Sequence, residues 1–297
     1  MDYVDFLWLN DETNLREALQ ATLNPSNQLL KKHFSSKQLA RPVLARDHSR
    51  LPMDLVNHLR INPTYQGPEI AILADTPMYL AIHKPAGIHS HPHLYSDKNT
   101  VLNFLAQNNL WAPLTVNMEN YDRGLLYRLD QETSGVMILA KSERVLQNTR
   151  KDFSVQMKKK FYWAVVNGSF DQEGLQNHYF KASGVKGSKQ KVYDRSGPEL
   201  TSGTMAVMKV MESGGKSLLL INLKTGLRHQ IRAQLAHLGS PILGDELYGG
   251  VKADRLFLHA LRYEWMDVVE DPQAELFESF FDLNSALQMS HDMLGRF

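Results

Sequence analysis

The feature that most constrains the fold of this chain is a series of short apolar runs beyond the Pro/Gly-rich segment NPTYQGPE at residues 62–69. Each run has the length and the β-branched or aromatic content of a strand, and turn-forming residues separate the runs. Two segments among them, NTVLNFLAQ and SERVLQNTRKDF, have helical periodicity instead. Many strands with few intervening helices favour an α+β fold with a mixed, largely antiparallel sheet and flanking helices over a doubly wound parallel sheet. The predicted strands are EIAILAD, MYLAIHK, GVMILAK, FYWAVVNG, SGTMAVMKVME and KSLLLINLK.

The first 67 residues follow a different pattern, which predicts an N-terminal helical region at 1–67 ahead of a main domain at 68–297. LREALQATL, NQLLKKHF and MDLVNHLR place apolar residues at helical spacing, and NPS and ARPVLARDHSRLP separate them as loops. In the main domain, the polar segment KASGVKGSKQKVYDRSGPEL interrupts the strands and predicts a mobile flap.

The absence of cysteine excludes disulfides, thiolate zinc sites and cysteine-held iron–sulfur clusters, and it favours a reducing, cytoplasmic compartment. The first residues carry acids in place of the basic start of a signal peptide. Nowhere do about 18 apolar residues run together, so we expect no membrane span.

The formal net charge of +1 conceals an uneven distribution. Residues 150–195 hold ten Lys or Arg against four Asp or Glu, whereas residues 264–282 hold seven acids and no Lys or Arg. This contrast predicts a side that faces a polyanion and a solvated acidic side, although lysines in flexible loops would give the same count.

Four histidines, His83, His89, His91 and His93, fall within eleven residues. We expect no metal there, because no carboxylate joins them at a ligand spacing and polar loop histidines or phosphate contacts explain them more simply. The phosphate loops GxxxxGK(S/T) and GxGxxG do not occur in the sequence, so we expect no nucleotide cofactor.

Three further segments concentrate chemically active side chains. YRLDQETSGVMILAKS, at 127–142, crowds charged and hydroxyl residues at the mouth of a strand. KTGLRHQIRAQLAHLGSPILGDELYGG, at 224–250, places Arg228 and Arg232 at one end of a helix predicted to start at Leu227. KKKFYWAVVNG, at 158–168, opens a strand with an aromatic cluster. Taken singly, turn chemistry, a solvated helix face and core packing explain these segments.

Together the segments resemble the RluA-type family of pseudouridine synthases, which isomerise uridine in structured RNA. The family pattern HRLDxxTSGxxxxAK corresponds to YRLDQETSGVMILAK, and TGRTHQIRxxLxxxGxPIxGDxxYG corresponds to TGLRHQIRAQLAHLGSPILGDELYG. The KPAG turn in MYLAIHKPAGIHSHP, the K-x-Y strand at 160–162 and RLFLHA at 255–260 complete five motifs in the family's order. The resemblance implies the pseudouridine synthase fold and an RNA isomerase that needs no cofactor.

The resemblance also implies roles for individual residues. Asp130 is the essential carboxylate, which either attacks the sugar carbon or assists removal of a sugar proton. Arg232 keeps that carboxylate ionised, and Tyr162 stacks on the target base and helps to take its C5 proton. The uridine must be flipped out of the RNA to enter such a pocket. Ile231 forms the apolar floor, Arg128 fills the vacated space or holds a phosphate, and further RNA contacts are expected from Arg228, His229, Gln230, Lys84 and Lys160.

Two positions depart from the family pattern. Tyr127 stands where the family has His before Arg-Leu-Asp, and Leu227-Arg228 stands where it has Arg-Thr. We expect these changes to affect RNA preference more than chemistry.

The expected partner is structured RNA, and the expected state is a monomer. Ribosomal RNA is favoured over transfer RNA because the N-terminal helices resemble a degenerate small RNA-binding module, although a packing arm is the alternative. The basic flanks of these helices are Lys31, Lys32, Lys37, Arg41 and Arg46. A catalytically inactive RNA-binding or RNA-folding protein on the same fold is the alternative function. Such an inactive protein would not need Asp130, Tyr162 and Arg232 together, so their joint presence favours the enzyme.

Overall fold

The computed structural model describes residues 3–23, 25–57, 59–151, 153, 157, 159–271 and 277–297. They form two units. The N-terminal unit comprises Met1–Gly67, His91–Trp111 and Asn117–Arg123, and the sheet unit comprises Pro68–Ser90, Ala112–Val116 and Gly124–Phe297. Two segments beyond residue 67 therefore pack with the N-terminal unit.

The N-terminal unit combines helices with a two-stranded antiparallel sheet of β1 (Tyr3–Leu7) and β2 (His48–Pro52). The predicted loop ARPVLARDHSRLP thus ends in a strand, because β2 is stabilised by a partner more than forty residues away that local sequence does not reveal. Leu19, Leu30 and Leu51 lie in the apolar core of this unit. Its helices are α1 (Leu15–Leu23), α2 (Asn27–His33), α3 (Ser36–Leu39), α4 (Met53–Val56) and α5 (Val101–Gln107).

The sheet unit is built on ten strands in the order β3-β4-β5-β11-β6-β10-β9-β7-β8, with β12 paired to β11. Within the described residues, every strand pair of this sheet is antiparallel except β5 with β11, which confirms the predicted mixed, largely antiparallel sheet. The strands are β3 (Ile72–Asp75), β4 (Tyr79–Lys84), β5 (Ser134–Ala140), β6 (Lys159–Asn167), β7 (Gly174–Ser183), β8 (Lys189–Tyr193), β9 (Thr201–Ser213), β10 (Lys216–Leu223), β11 (Leu258–Glu264) and β12 (Val268–Glu270).

The continuous apolar runs become the centre of this sheet. All seven residues of β5 are buried, as expected for a strand covered on both faces. The predicted flap is instead largely a hairpin of β7 and β8, whose tip is a short 3₁₀ turn at Val185–Gly187. β7 was not predicted, because its polar residues conceal the strand pattern.

The remaining helices are α6 (Trp111–Leu114), α7 (Glu143–Lys151), α8 (Gln230–His237) and α9 (Leu283–Met293). The predicted start of α8 at Leu227 is wrong by three residues, because His229 has a left-handed backbone with φ of 51° that a helix cannot contain. His58, Asp152 and Lys158, which lie in three of the predicted segments, are outside the described residues. No helix in the described part of the chain is long and apolar enough to cross a membrane.

Candidate active site

Asp130 lies in the loop before β5, and its side chain is about one quarter exposed (25%). The fully buried Lys84, at the end of β4, shapes this loop. Its ammonium group donates to the carbonyl oxygens of Pro85, Gln131 and Thr133 at 3.0, 3.0 and 2.8 Å. Burial lowers the pKa of Lys84 to about 7, against the opposing charge of Asp130. These contacts occupy all three ammonium hydrogens, so Lys84 supports the loop where the sequence suggested a phosphate contact.

The strand that follows the loop is fixed to β11 by a buried hydrogen-bond network. The Nε2 of His259 donates to the carbonyl oxygen of Asp271 at 3.1 Å, which leaves Nδ1 to accept from the Ser134 hydroxyl at 2.9 Å. Arg255 in turn donates to the Ser134 oxygen at 2.6 Å. Burial lowers the pKa of His259 to about 4, so the ring is neutral.

Two further features tighten this junction. Gly135 has φ of 115°, and a Cβ there would lie 2.2 Å from the carbonyl oxygen of Ala260 on β11, so glycine is required. The Asp271 carboxylate is fully buried and binds His83. Residues 264–282 were predicted to form a solvated acidic side of the protein. Asp271 contradicts this, whereas residues 272–276 lie outside the described part of the chain.

Arg232 supplies the positive charge next to Asp130. Its guanidinium is buried and donates through Nε and Nη2 to the two carboxylate oxygens of Asp245, at 2.7 and 2.8 Å. The third nitrogen, Nη1, lies 3.4 Å from Asp130 Oδ2 and 3.3 Å from Glu132 Oε2. Burial alone would lower the pKa of Arg232, but the contact with Asp245 raises it above the usual range. Arg232 is therefore a fixed cation facing the Asp130 carboxylate.

His229 stands beside the same carboxylate. Its Nε2 lies 3.8 Å from Asp130 Oδ2, and its Nδ1 is 3.1 Å from the Tyr248 hydroxyl. Burial lowers the pKa of His229, with Asp130 opposing the effect, so the neutral ring predominates at neutral pH. Its left-handed backbone is uncommon for a residue other than glycine, and such conformations concentrate at functional sites.

Arg228 points away from this centre. Its Nη1 and Nη2 donate to the carbonyl oxygens of Gly187 and Ser188, at 2.9 and 3.0 Å, and so bind the tip of the β7–β8 hairpin. The sequence placed Arg228 and Arg232 at one end of a helix, but only Arg232 belongs to α8. The two guanidinium groups consequently bind different parts of the protein.

The other predicted site residues divide into buried apolar or aromatic side chains, hydrogen-bonded supporting side chains and one exposed arginine. Tyr162 on β6 and Ile231 on α8 are buried, with 6% and 4% of their surface exposed. Lys160 donates to the carbonyl oxygen of Thr225 at 2.9 Å, and burial lowers its pKa to about 8. Gln230 accepts from the Leu227 amide at 3.1 Å, so it supports the start of α8. Arg128 is exposed to solvent.

A possible metal-binding group occurs away from the four histidines singled out in the sequence. Among the described residues, His178, Asp194 and His237 bring one ligand atom each within 4.8 Å of one another. However, the Gln234 Nε2 lies 3.0 Å from Nδ1 of His178, which places the ring hydrogen on Nε2, the atom that would bind a metal. His237 already contacts Asp194 at 2.6 Å. This group therefore fits a hydrogen-bonded clamp between the hairpin and α8.

Sequence reasoning gave no role to several residues that shape this site: Asp245, Tyr248, Glu132 and Tyr263. Asp245 and Tyr248 lie in the segment GDELYGG. An acid and a tyrosine next to glycine turns were the sequence signal that could have marked them as site residues. Nothing local in the sequence marks Tyr263, since its contacts come from strands far apart in the chain.

Comparison with known proteins adds independent information. Residues 78–237 match the sequence model of the family described as RNA pseudouridylate synthase. Over 203 residues the chain is 34% identical to ribosomal large subunit pseudouridine synthase D of Borreliella burgdorferi, a match that covers 66% of this chain and 60% of that protein. It is 33% identical over 189 residues to the dual-specificity RNA pseudouridine synthase RluA of Vibrio parahaemolyticus, covering 61% of this chain and 71% of that protein.

The fold has solved counterparts as well. The structure of human RNA pseudouridylate synthase domain containing 1 superposes with a TM-score of 0.58 at 19% identity, covering 75% of this chain and 95% of that chain. The resemblance at this identity concerns the architecture of the sheet and its flanking helices.

Proposed function

Because the chain belongs to the RluA-type RNA pseudouridine synthase family, we propose that it converts a specific uridine of a structured RNA to pseudouridine, with Asp130 as the essential carboxylate. The observation that carries the proposal is the Asp130 carboxylate facing Nη1 of Arg232, whose other two donor nitrogens are held by Asp245. A cation fixed in this way places a positive charge next to the carboxylate that the reaction requires.

The reaction breaks the N1–C1′ glycosidic bond, turns the uracil and rejoins it to the sugar through C5. Asp130 either attacks the sugar carbon or helps to remove a sugar proton. In both routes it acts as a carboxylate, and Arg232 holds that charge in place. Tyr162 and Ile231 provide the aromatic and apolar surfaces for the base, which has to leave the RNA stack to reach them.

Product and reactant have the same composition, so the proposed reaction consumes no redox equivalent or nucleotide. We propose that the protein works in the reducing cytoplasm. We also expect the purified protein to keep its activity after exhaustive treatment with EDTA. A loss of turnover that zinc alone restored would contradict this part of the proposal.

Ribosomal RNA is the substrate that we propose, in preference to transfer RNA. The name of the Borreliella relative points to the large ribosomal subunit, whereas the Vibrio relative is described as having dual specificity. The N-terminal unit also carries exposed lysines on α2 and α3, namely Lys31, Lys32 and Lys37, which suit docking on a large folded RNA. Pseudouridine profiling of total RNA from a deletion strain tests the choice, and a loss confined to transfer RNA would contradict it.

The function itself is tested by incubating the purified protein with RNA from the deletion strain and detecting pseudouridine by carbodiimide-dependent primer extension. We expect a new stop at one position or a few. If the protein binds RNA but produces no stop on ribosomal or transfer RNA, the alternative of an RNA-binding or RNA-folding protein is correct.

A further inference from the structure

Tyr248 ends a short 3₁₀ turn and touches both of the side chains that flank the Asp130 carboxylate. Its ring is nearly perpendicular to the His229 ring, with centroids 5.8 Å apart, and the guanidinium carbon of Arg232 lies 5.6 Å from its centroid. His229 Nε2 and Arg232 Nη1 approach the same oxygen of Asp130, Oδ2, at 3.8 and 3.4 Å. Tyr248 is therefore in a position to control how these two side chains face the carboxylate.

The Tyr248 hydroxyl has two hydrogen-bond partners in the part of the chain that the structure describes. The backbone amide of Gln190, on β8, donates to it at 2.8 Å, and His229 Nδ1 lies 3.1 Å away. An amide N–H can only donate, so the phenol oxygen is the acceptor of the first bond. The single hydrogen of the phenol is then directed to the His229 ring, and Nδ1 is its acceptor.

The carboxylate of Asp130 favours the same tautomer of His229. The His229 ring is neutral at neutral pH, so one of its two nitrogens carries the hydrogen. With the hydrogen on Nδ1, the lone pair of Nε2 would face Asp130 Oδ2 at 3.8 Å, which is repulsive. With the hydrogen on Nε2, the N–H dipole faces the carboxylate, which is attractive. Both contacts of the ring therefore place the hydrogen on Nε2.

We propose that Tyr248 is a positioning residue for His229: its hydroxyl holds Nδ1, so that the Nε2–H group faces the Asp130 carboxylate alongside Arg232. This inference rests on the proposed function and goes beyond the RNA contact that the sequence suggested for His229. The left-handed backbone of His229, with φ of 51°, fits this role, because such a conformation persists where surrounding contacts fix the residue. Through the Gln190 amide, the orientation of the ring also depends on the docked β7–β8 hairpin.

The decisive variant is Tyr248→Phe, which keeps the ring beside Arg232 and removes the hydroxyl. Without that donor, the His229 ring can turn away from Asp130. We expect kcat to fall roughly three- to tenfold, the scale of one hydrogen bond between neutral groups, with KM for RNA within about twofold. The variant should remain folded, because Tyr248 is only partly buried. An unchanged kcat would overturn the proposal.

A double-mutant cycle with His229→Ala separates positioning of the ring from support of the hairpin. Once the ring at position 229 is absent, removing the Tyr248 hydroxyl should cause no further loss of kcat. A loss transmitted through the Gln190 amide or through Arg232 would instead persist in that background. Equal losses of kcat from Tyr248→Phe in the wild-type and His229→Ala backgrounds would overturn the proposal.

A matched control is Tyr79→Phe. Tyr79 is a buried tyrosine at the start of β4, at the opposite end of that strand from Lys84, and its hydroxyl donates to Asp267 at 3.0 Å. This variant also loses one tyrosine hydrogen bond, so it should lose stability but keep kcat. A loss of kcat in Tyr79→Phe as large as that in Tyr248→Phe would count against a specific role for Tyr248.

A measurement without turnover separates this proposal from the proposed function. ¹⁵N NMR distinguishes protonated from unprotonated ring nitrogens of histidine, and comparison with His229→Ala identifies the signals of His229. We expect a protonated Nε2 and an unprotonated Nδ1 at neutral pH, and a changed Nδ1 shift in Tyr248→Phe. A hydrogen on Nδ1 in place of Nε2, or an Nδ1 shift that Tyr248→Phe leaves unchanged, would refute the proposed contact. A wild-type protein that showed these signals but made no pseudouridine would refute the proposed function alone.

Discussion

Asp245 holds Arg232 through two hydrogen bonds, from Nε at 2.7 Å and from Nη2 at 2.8 Å. Two bonds fix the plane of the guanidinium group, and Nη1 is thereby directed to Asp130. Both partners of this pair are buried, so the charge of Arg232 is neutralised within the protein. The placement of the cation beside Asp130 therefore depends on Asp245.

Asp245→Asn should lower turnover by tenfold or more while leaving RNA affinity within a few-fold. The amide removes the charge that neutralises buried Arg232, and breaking a buried pair typically costs about 3–5 kcal/mol of unfolding free energy. Single-turnover kinetics and urea unfolding measure the two effects. Glu132→Gln is the control for stability, because Glu132 also contacts Arg232 but is half exposed, and it should change stability by less than about 1 kcal/mol. Similar losses of stability in both variants would contradict this account.

The buried His259 predicts a specific loss of stability in acid. Its pKa in the folded protein is about 4, below the ordinary value of 6.5. Between these values the unfolded chain binds a proton that the folded state does not, so the free energy of unfolding should fall as pH decreases from about 6.5 to 4. Urea unfolding across this range should show a shallower fall in His259→Gln than in wild type. An unchanged slope in His259→Gln would contradict the prediction.

Arg228 should control the mobility of the β7–β8 hairpin. Arg228→Lys keeps the charge, but one ammonium group cannot reproduce the fork that spans the carbonyl oxygens of Gly187 and Ser188. Hydrogen exchange of the β8 amides should become several-fold faster in this variant. Lys252→Gln, at another exposed position, serves as the control. Unchanged exchange in Arg228→Lys would show that the hairpin is held by other contacts.

The N-terminal unit can be tested by charge alone, without truncation. Exchanging Lys31, Lys32 and Lys37 for Gln should flatten the salt dependence of RNA binding, with the slope of log affinity against log salt changing by about 0.7–0.9 for each lost phosphate contact. The three side chains are exposed, so the melting temperature should stay the same. An unchanged slope would support the packing-arm alternative. Removing residues 1–63 would be less informative, because residues 91–111 and 117–123 belong to the same unit.

The parts of the fold that the sequence predicts are those with strong local patterns. β5 and β10 are continuous apolar runs, and both are central strands. β2 and β11 were not predicted because their pairing partners are distant in the chain, and β7 was not predicted because its polar residues conceal the strand pattern. The start of α8 was misplaced because a left-handed residue such as His229 has no clear signature in a sequence that otherwise reads as helical.

The candidate site likewise divides into residues that sequence motifs mark and contacts that only the tertiary structure reveals. The motifs singled out Asp130, Arg232, Tyr162 and Ile231 as candidates, and the structure brings Asp130 and Arg232 together. The direction of a long side chain is set by tertiary contacts, however. Lys84, which the sequence suggested as an RNA contact, is instead buried against backbone carbonyl oxygens.

The central claim is most directly tested by comparing Asp130→Asn with wild type in two assays on the same RNA. Pseudouridine is measured by carbodiimide-dependent primer extension, and affinity is measured by filter binding. The amide keeps the shape of the side chain and loses its charge, so we expect product formation to be abolished while RNA affinity stays within a few-fold of wild type. Product formation by Asp130→Asn at close to the wild-type rate would contradict the assignment of Asp130 as the essential carboxylate.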